Sequence, residues 1–206
     1  DNLDRVLESR VDPATGEKVF ISTDERAKAQ SDHDNPDLQF NVKGADWYAY
    51  SENYGTSEEK KFVKYLASQI EDLRAKYEGS EIYLIRNELD YWLYSLKDGR
   101  RFSPDYMLIL NDVVNQQLYY QVIIEPKGGH IIEQDTWKEE ALISLNDDSE
   151  VVFDTNENDK QAYKDYLVEM SKHGYKEIKP IGIKFYNTDP RDEADFALEF
   201  QDKLLA

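Results

Sequence analysis

The chain has 206 residues, 40% of them hydrophobic and 13% aromatic, enough to bury a core and too apolar for a disordered chain. Its 43 acidic side chains against 25 basic ones leave a net charge of −18, which excludes a passive whole-surface grip on phosphates. With no cysteine, a disulfide framework, a zinc–thiolate site and a cysteine nucleophile are excluded too.

No apolar run is long enough to span a bilayer and no signal-peptide core opens the sequence, so no membrane and a cytoplasmic location are expected. The opening at Asp1, without a start Met, suggests a fragment of a longer protein, with a processed terminus as the alternative. The expected organisation is an N-terminal extension over residues 1–54, packed on or leading into a core domain over 55–206. Charge is uneven along it. Residues 1–54 hold 12 acidic and 6 basic side chains and residues 131–206 hold 19 and 9, whereas 55–130 hold 12 and 10. Any meeting with a polyanion therefore belongs to the middle segment.

Residues 1–36 read as loosely ordered, with a turn at Asp12-Pro13-Ala14-Thr15-Gly16 and a short strand at Val19-Phe20-Ile21. Leu38, Phe40 and Val42 alternate with polar residues and predict a strand leading towards Trp47. The clearest helix opens at Thr56-Ser57-Glu58-Glu59, where Thr56 and Glu59 have capping-box spacing. Phe62, Leu66, Ile70, Leu73 and Tyr77 follow at helical spacing, and Gly79 ends the helix.

Ile82-Tyr83-Leu84-Ile85 reads as a buried strand, and Tyr91-Trp92-Leu93-Tyr94 as strand or helix. Asp98-Gly99 signals a hairpin feeding a strand from Phe102 to Leu110, and Leu118 to Ile124 is the most strand-like run. These make consecutive antiparallel strands. Trp137 to Leu145 reads as a helix, Val151-Val152-Phe153 as a strand and Asp159 to His173 as a helix. Ile178 to Tyr186 is a further strand, and Asp192 to Leu205 an amphipathic helix. The pattern is α/β: a central mixed sheet flanked by helices.

The chemistry concentrates on two adjoining strands. One carries Ser103-Pro104-Asp105-Tyr106, the other Ile123-Ile124-Glu125-Pro126-Lys127-Gly128. Side chains alternate along a strand, so Glu125 and Lys127 share a face, and a carboxylate with an ammonium is poor core filling. With Asp105 on the neighbouring strand, two carboxylates and a lysine converge. Such oxygens suit Mg²⁺ or Mn²⁺, and the lysine can orient a water or stabilise charge on a phosphate. The bland alternative is a solvated strand end with a Glu–Lys pair.

Pro104-Asp105 followed by Glu125-Pro126-Lys127 resembles the signature of the PD-(D/E)xK nuclease superfamily. More narrowly, the stretch from Thr56-Ser57-Glu58-Glu59-Lys60-Lys61-Phe62 through Arg101-Phe102-Ser103-Pro104-Asp105 to Glu125-Pro126-Lys127-Gly128 resembles the C-terminal endonuclease domain of type III restriction enzyme nuclease–helicase subunits. The resemblance implies a restriction-endonuclease-like core. It implies that Asp105, Glu125 and Lys127 are catalytic, and that Asp105, Glu125 and the Pro126 carbonyl hold Mg²⁺, with Mn²⁺ able to substitute. An acidic residue of the preceding helix completes such sites. Glu59 is preferred to Glu58 because it precedes Phe62, Val63 and Leu66 on the buried stripe, and a purely capping role for Glu59 stays open.

The partners so implied are double-stranded DNA, a helicase or translocase part that would use ATP outside this chain, and a modification methyltransferase subunit. Pro126 fits such a strand only where pairing ends or distorts.

Arg100, Arg101 and Lys61, with Lys97, Lys60 and Lys64, could steer DNA phosphates or form an ordinary solvated face. His130 reads as a loop residue and Trp137 as packing. Asp154 to Asp165 lacks the glycine and glutamate of a Ca²⁺ loop, and there is no phosphate-binding G-x-x-x-x-G-K-[ST] segment. The leading expectation is a metal-dependent DNA endonuclease domain. The alternatives are a catalytically silent nuclease-like interaction module, or an acidic protein-binding or DNA-mimic domain.

Overall fold

The computed structural model describes residues 7–11, 18–22, 28–87, 93–94, 100–123, 132–144, 165, 168–187 and 189–206. A separate two-stranded antiparallel pair comes first, β1 (Leu7–Val11) with β2 (Lys18–Ser22). The main architecture starts with helix α1 (Ser57–Lys76), whose apolar stripe of Phe62, Val63, Leu66, Ile70 and Leu73 is buried. Strand β3 (Glu81–Arg86) returns under it. A short pair follows, β4 (Leu93–Tyr94) with β5 (Arg101–Phe102), antiparallel as the Asp98-Gly99 signal suggested; the turn itself lies outside the described residues.

Strands β6 (Tyr106–Asp112) and β7 (Gln117–Ile123) then complete an antiparallel meander. Helix α2 (Ile132–Ser144) leads away from it, and β8 (Glu177–Gly182) joins the sheet parallel to β7. The order is β3-β6-β7-β8 in a four-stranded mixed sheet. Helix α3 (Pro190–Phe200) follows, continued by a π-helical turn at Gln201–Leu205.

The sheet is covered on both faces. Leu84, Tyr106, Leu108 and Leu110 pack under α1, joined there by Phe196, Phe200 and Leu204 of the C-terminal helix. Phe62, Tyr65, Tyr186, Phe196 and Phe200 form a chain of tilted and edge-on ring contacts, the geometry that aromatic quadrupoles favour. On β8, Ile181 and the following Ile183 turn to this core, while Gly182 between them meets α2. The chain is therefore a mixed α/β fold with helices flanking a sheet.

Several boundaries differ from the sequence expectation. The run from Phe102 to Leu110 is not one strand: β5 ends at Phe102 and β6 begins at Tyr106, because Pro104 interrupts the ladder. Residues 38–42 are not a strand. Leu38 and Val42 are buried as their alternation implied, but the backbone turns on itself, with Leu38 N–H donating to the Asn35 carbonyl at 3.0 Å. The strand starting near Ile178 stops at Gly182 rather than Tyr186, and α2 starts at Ile132 rather than Trp137. The helix expected from Asp192 starts at Pro190, behind the Asp189 cap. Of the helix expected over Asp159 to His173, only 165 and 168–172 lie among the described residues and are helical. The strand expected at 151–153 lies outside them.

Residues 28–54 are tied into the core. Trp47 and Tyr48 are buried, and Tyr48 bridges Leu84 in parallel, with Leu84 N–H donating to the Trp47 carbonyl at 2.6 Å and Ala49 N–H to the Leu84 carbonyl at 3.1 Å. This covers the otherwise open edge of β3. Behind it lies a buried polar network: the Asn53 Oδ1 accepts from Tyr48 at 2.8 Å and Tyr106 at 3.3 Å, and Asn53 Nδ2 donates to Gln30 Oε1 at 2.7 Å. Gln30 Nε2 donates in turn to the Leu38 carbonyl at 2.8 Å and the Lys60 carbonyl at 2.7 Å.

Candidate functional site

The first turn of α1 is built by the predicted capping box. Thr56 Oγ1 accepts from Glu59 N–H at 3.2 Å, and Thr56 N–H donates to Glu59 Oε2 at 2.6 Å. Gly55 precedes it at φ +138°, and a Cβ there would stand 2.6 Å from Glu59 Oε2. The other oxygen of Glu59, Oε1, meets Arg86 Nη2 at 3.2 Å. The glutamate side chain is only 5% exposed, so the guanidinium offsets a charge that would otherwise be costly to bury.

Arg86 is itself held on several sides. Its Nη1 donates to the Tyr54 carbonyl, and its own carbonyl accepts from the Tyr50 hydroxyl at 2.7 Å. The next residue, Asn87, ties down the neighbouring segment. Asn87 N–H donates to the Asp105 carbonyl at 2.7 Å, and its Nδ2 to Ser103 Oγ at 2.7 Å and the Pro104 carbonyl at 2.9 Å. Asp105 is half-buried and its Oδ2 is out of solvent.

Tyr106 marks where these groups meet. It is fully buried and pairs with Arg86 on one side and Ile123 on the other. Burial pushes its phenol well above the ordinary range; the neighbouring Tyr48, Glu59 and Asp105 push it further, and Arg86 opposes them. Tyr48 and Tyr186 are also raised, chiefly by burial, and Tyr65 is pushed up to about 12.

For these groups the folded protein favours the protonated form. Their contribution to stability is complete below the ordinary tyrosine value of 10.0 and is lost as pH rises from there towards the folded values. Thermal melts should therefore fall steeply above about pH 10, and Tyr106→Phe should flatten that fall. A melting temperature independent of pH in that range would contradict this.

Of the residues expected at the site, the structure brings Glu59 and Asp105 to the same end of the paired β3 and β6, around Tyr106. Glu58 is only half-buried and shares its Oε2 with the Ser57 hydroxyl at 2.9 Å. Glu125, Pro126 and Lys127 lie outside the described residues, as does His130. The described pairing stops at Ile123, opposite Tyr106. Among the described residues, no three His, Asp or Glu side chains gather as a metal site would require.

The basic residues need correction. Lys60 is fully buried, and Lys64 Nζ donates to the Pro36 and Asp37 carbonyls at 3.1 Å each, so neither is a free phosphate contact. Lys61 is half-buried; Arg101 is the first residue of β5. Arg100 is exposed, with its guanidinium 4.2 Å from the centroid of the Trp137 ring, which adds a cation–π contact to the packing role expected for Trp137. Sequence reasoning missed Arg86 and Asn87, which belong to no motif; the available signal was that a glutamate on a buried helical stripe needs a cation.

A protein of Haemophilus influenzae, described as an uncharacterized protein, is 40% identical over 107 residues, covering 48% of this chain and 23% of its own length. The chain thus spans less than a quarter of that relative. No solved structure matches. Residues 24–186 match the family described as HI_1054_C, C-terminal domain, and the chain belongs to that family.

Proposed function

We propose that this chain is a metal-dependent DNA endonuclease domain with a restriction-endonuclease-like core, the cleavage module of a larger ATP-dependent type III restriction enzyme. The observation that carries the reading is the pairing of β6 with β7: Tyr106 lies opposite Ile123, so the Pro104-Asp105 end of one strand adjoins the end after which the sequence reads Glu125-Pro126-Lys127. The order of helix, antiparallel meander, helix and parallel strand supports the core assignment.

The donor chemistry fits Mg²⁺ in part: Asp105 offers a hard carboxylate oxygen withdrawn from solvent, whereas both oxygens of Glu59 are already engaged. Asp105 and Glu125, with the Pro126 carbonyl, would hold the ion in this reading. When bound, a divalent ion supplies an acidified water and neutralises charge on a phosphate. Lys127 orients the attacking water and stabilises the negative charge that grows on the phosphate oxygens. Arg100 and Arg101 contact the DNA backbone. The translocase part of the longer polypeptide, with a methyltransferase subunit, delivers the duplex, because a net charge of −18 opposes DNA binding by the fragment alone.

The test is plasmid cleavage by the chain fused to a nonspecific DNA-binding domain, in Mg²⁺ or EDTA. Strand breaks in Mg²⁺ that vanish in EDTA, and that fall roughly a hundredfold or more in Lys127→Ala without loss of binding, are expected. No cleavage at any Mg²⁺ or Mn²⁺ concentration would overturn the reading. The net charge itself favours a second reading, an acidic domain that docks a basic protein; tight, steeply salt-dependent binding to such a partner would then replace cleavage.

A further inference from the structure

Resting on the nuclease reading, we propose that Arg100, Trp137 and Lys138 form a pre-organised contact for the phosphate backbone of double-stranded DNA: Trp137 holds Arg100 in place, and the two cations meet the phosphates. The pieces come from separate parts of the chain. Arg100 immediately precedes β5, whereas Trp137 and Lys138 lie on α2. The Arg100 guanidinium carbon stands 4.2 Å from the centroid of the Trp137 ring, and Lys138 Nζ stands 6.0 Å from the same centroid. Arg100 is exposed and Trp137 half-buried, so the ring is the inner layer of the stack and the guanidinium the outer one.

A planar guanidinium stacked on an aromatic face carries its N–H donors around its rim, where a phosphate is met edge-on. An arginine already stacked also surrenders less side-chain freedom on binding than one that is loose in solvent. Neighbouring acids do little to cancel the two charges. Glu139 is drawn towards Phe185, whose N–H donates to Glu139 Oε1 at 3.2 Å. Among the described side chains of α2, only Glu140 then stands as an exposed acid. At an ionic strength of about 0.1 M, charges more than about 10 Å away are largely screened, so the local cations act despite the net charge of the chain. The position suits the reading as well. Arg100 is five residues before Asp105, so their backbones are at most about 18 Å apart, less than one turn of duplex. Trp137 is thus a positioning residue that acts through Arg100.

The experiment titrates the isotope-labelled chain with a random-sequence DNA duplex between about 0.05 and 0.2 M salt. The Trp137 indole N–H resonance reports the site, the buried Trp47 serves as internal control, and backbone amides of β5 and α2 give the affinity in every variant. The Trp137 resonance is expected to move to saturation while that of Trp47 stays. Arg100→Gln is expected to weaken binding about fivefold and to lower the slope of log affinity against log salt by about 0.9, the share of one phosphate. Lys138→Gln should lower the slope by a similar amount. Trp137→Leu keeps both charges, so it should weaken binding about threefold with the slope unchanged. In the Arg100→Gln background it should have no further effect, a coupling that a purely structural tryptophan would not show.

If Trp137→Leu does not fold, Arg100→Lys decides, since it keeps the charge and loses the planar stack: about threefold weaker binding at the same slope is expected. Full affinity in Trp137→Leu or Arg100→Lys overturns the positioning role, and an unchanged salt slope in Arg100→Gln overturns the phosphate contact. A Trp137 resonance that duplex does not move overturns the whole inference. Cleavage by the fused chain judges the nuclease reading separately: Mg²⁺-dependent breaks without this binding pattern sink the inference alone, and the binding pattern without any breaks sinks the nuclease reading alone.

Discussion

Asp105→Asn is expected to lower Mg²⁺-dependent cleavage by about a thousandfold or more, in whatever assay shows activity for the unaltered chain. The substitution keeps the shape of the side chain and removes its charge. The contacts that Asn87 makes to this segment are unaffected, because its N–H binds the Asp105 backbone carbonyl and its Nδ2 binds Ser103 and Pro104. Melting in EDTA should therefore stay within about 1 kcal/mol of the unaltered protein, or improve, since a half-buried carboxylate near Glu59 is relieved of its charge. Glu71→Gln, on an exposed turn of α1, is the control for a general loss of negative charge. Undiminished cleavage by Asp105→Asn would remove the carboxylate from the chemistry.

Gly182→Ala should be the most damaging single methyl in the described part of the chain. An added Cβ at this position would lie 1.7 Å from the Leu142 carbonyl oxygen and 2.4 Å from its carbon. Both are backbone atoms of α2, so no rotamer change makes room; the helix must move off the sheet or β8 must leave it. Cores transmit rather than absorb such displacement, and overpacking that displaces whole elements exceeds the usual few kcal/mol. A loss of about 4 kcal/mol or more, or failure to fold, is expected in urea unfolding. A change below about 1 kcal/mol would mean that α2 does not sit against β8 at this distance.

Much of the fold was legible because its signals were local. The α1 boundaries follow from Thr56, Glu59 and a stripe of five apolar residues, and the meander from two long apolar runs with a turn between them. The misreadings come from non-local causes. Leu38, Phe40 and Val42 have a strand's alternation, yet Gln30 takes the Leu38 carbonyl and the segment curls around it. Lys60 and Lys64 looked like a solvated basic face, since nothing nearby in sequence says that the surface of α1 is covered by residues 30–37. Of the residues gathered around Tyr106, the motif and the cap had singled out Asp105 and Glu59. Arg86 was not singled out, because its role exists only once α1 and β3 are packed together.

The buried amide of Asn53 has a kinetic consequence. Its bonds to Gln30 and to Tyr106 close loops of 23 and 53 residues, so they reward the chain only after most of its conformational freedom has been surrendered. By that reasoning α1 and the β6–β7 hairpin form early, and the 28–54 segment locks on behind them. Weakening the lock then changes the rate of unfolding far more than the rate of folding. Asn53→Ala is therefore expected to speed unfolding more than it slows folding, a split that the two arms of a urea chevron would read.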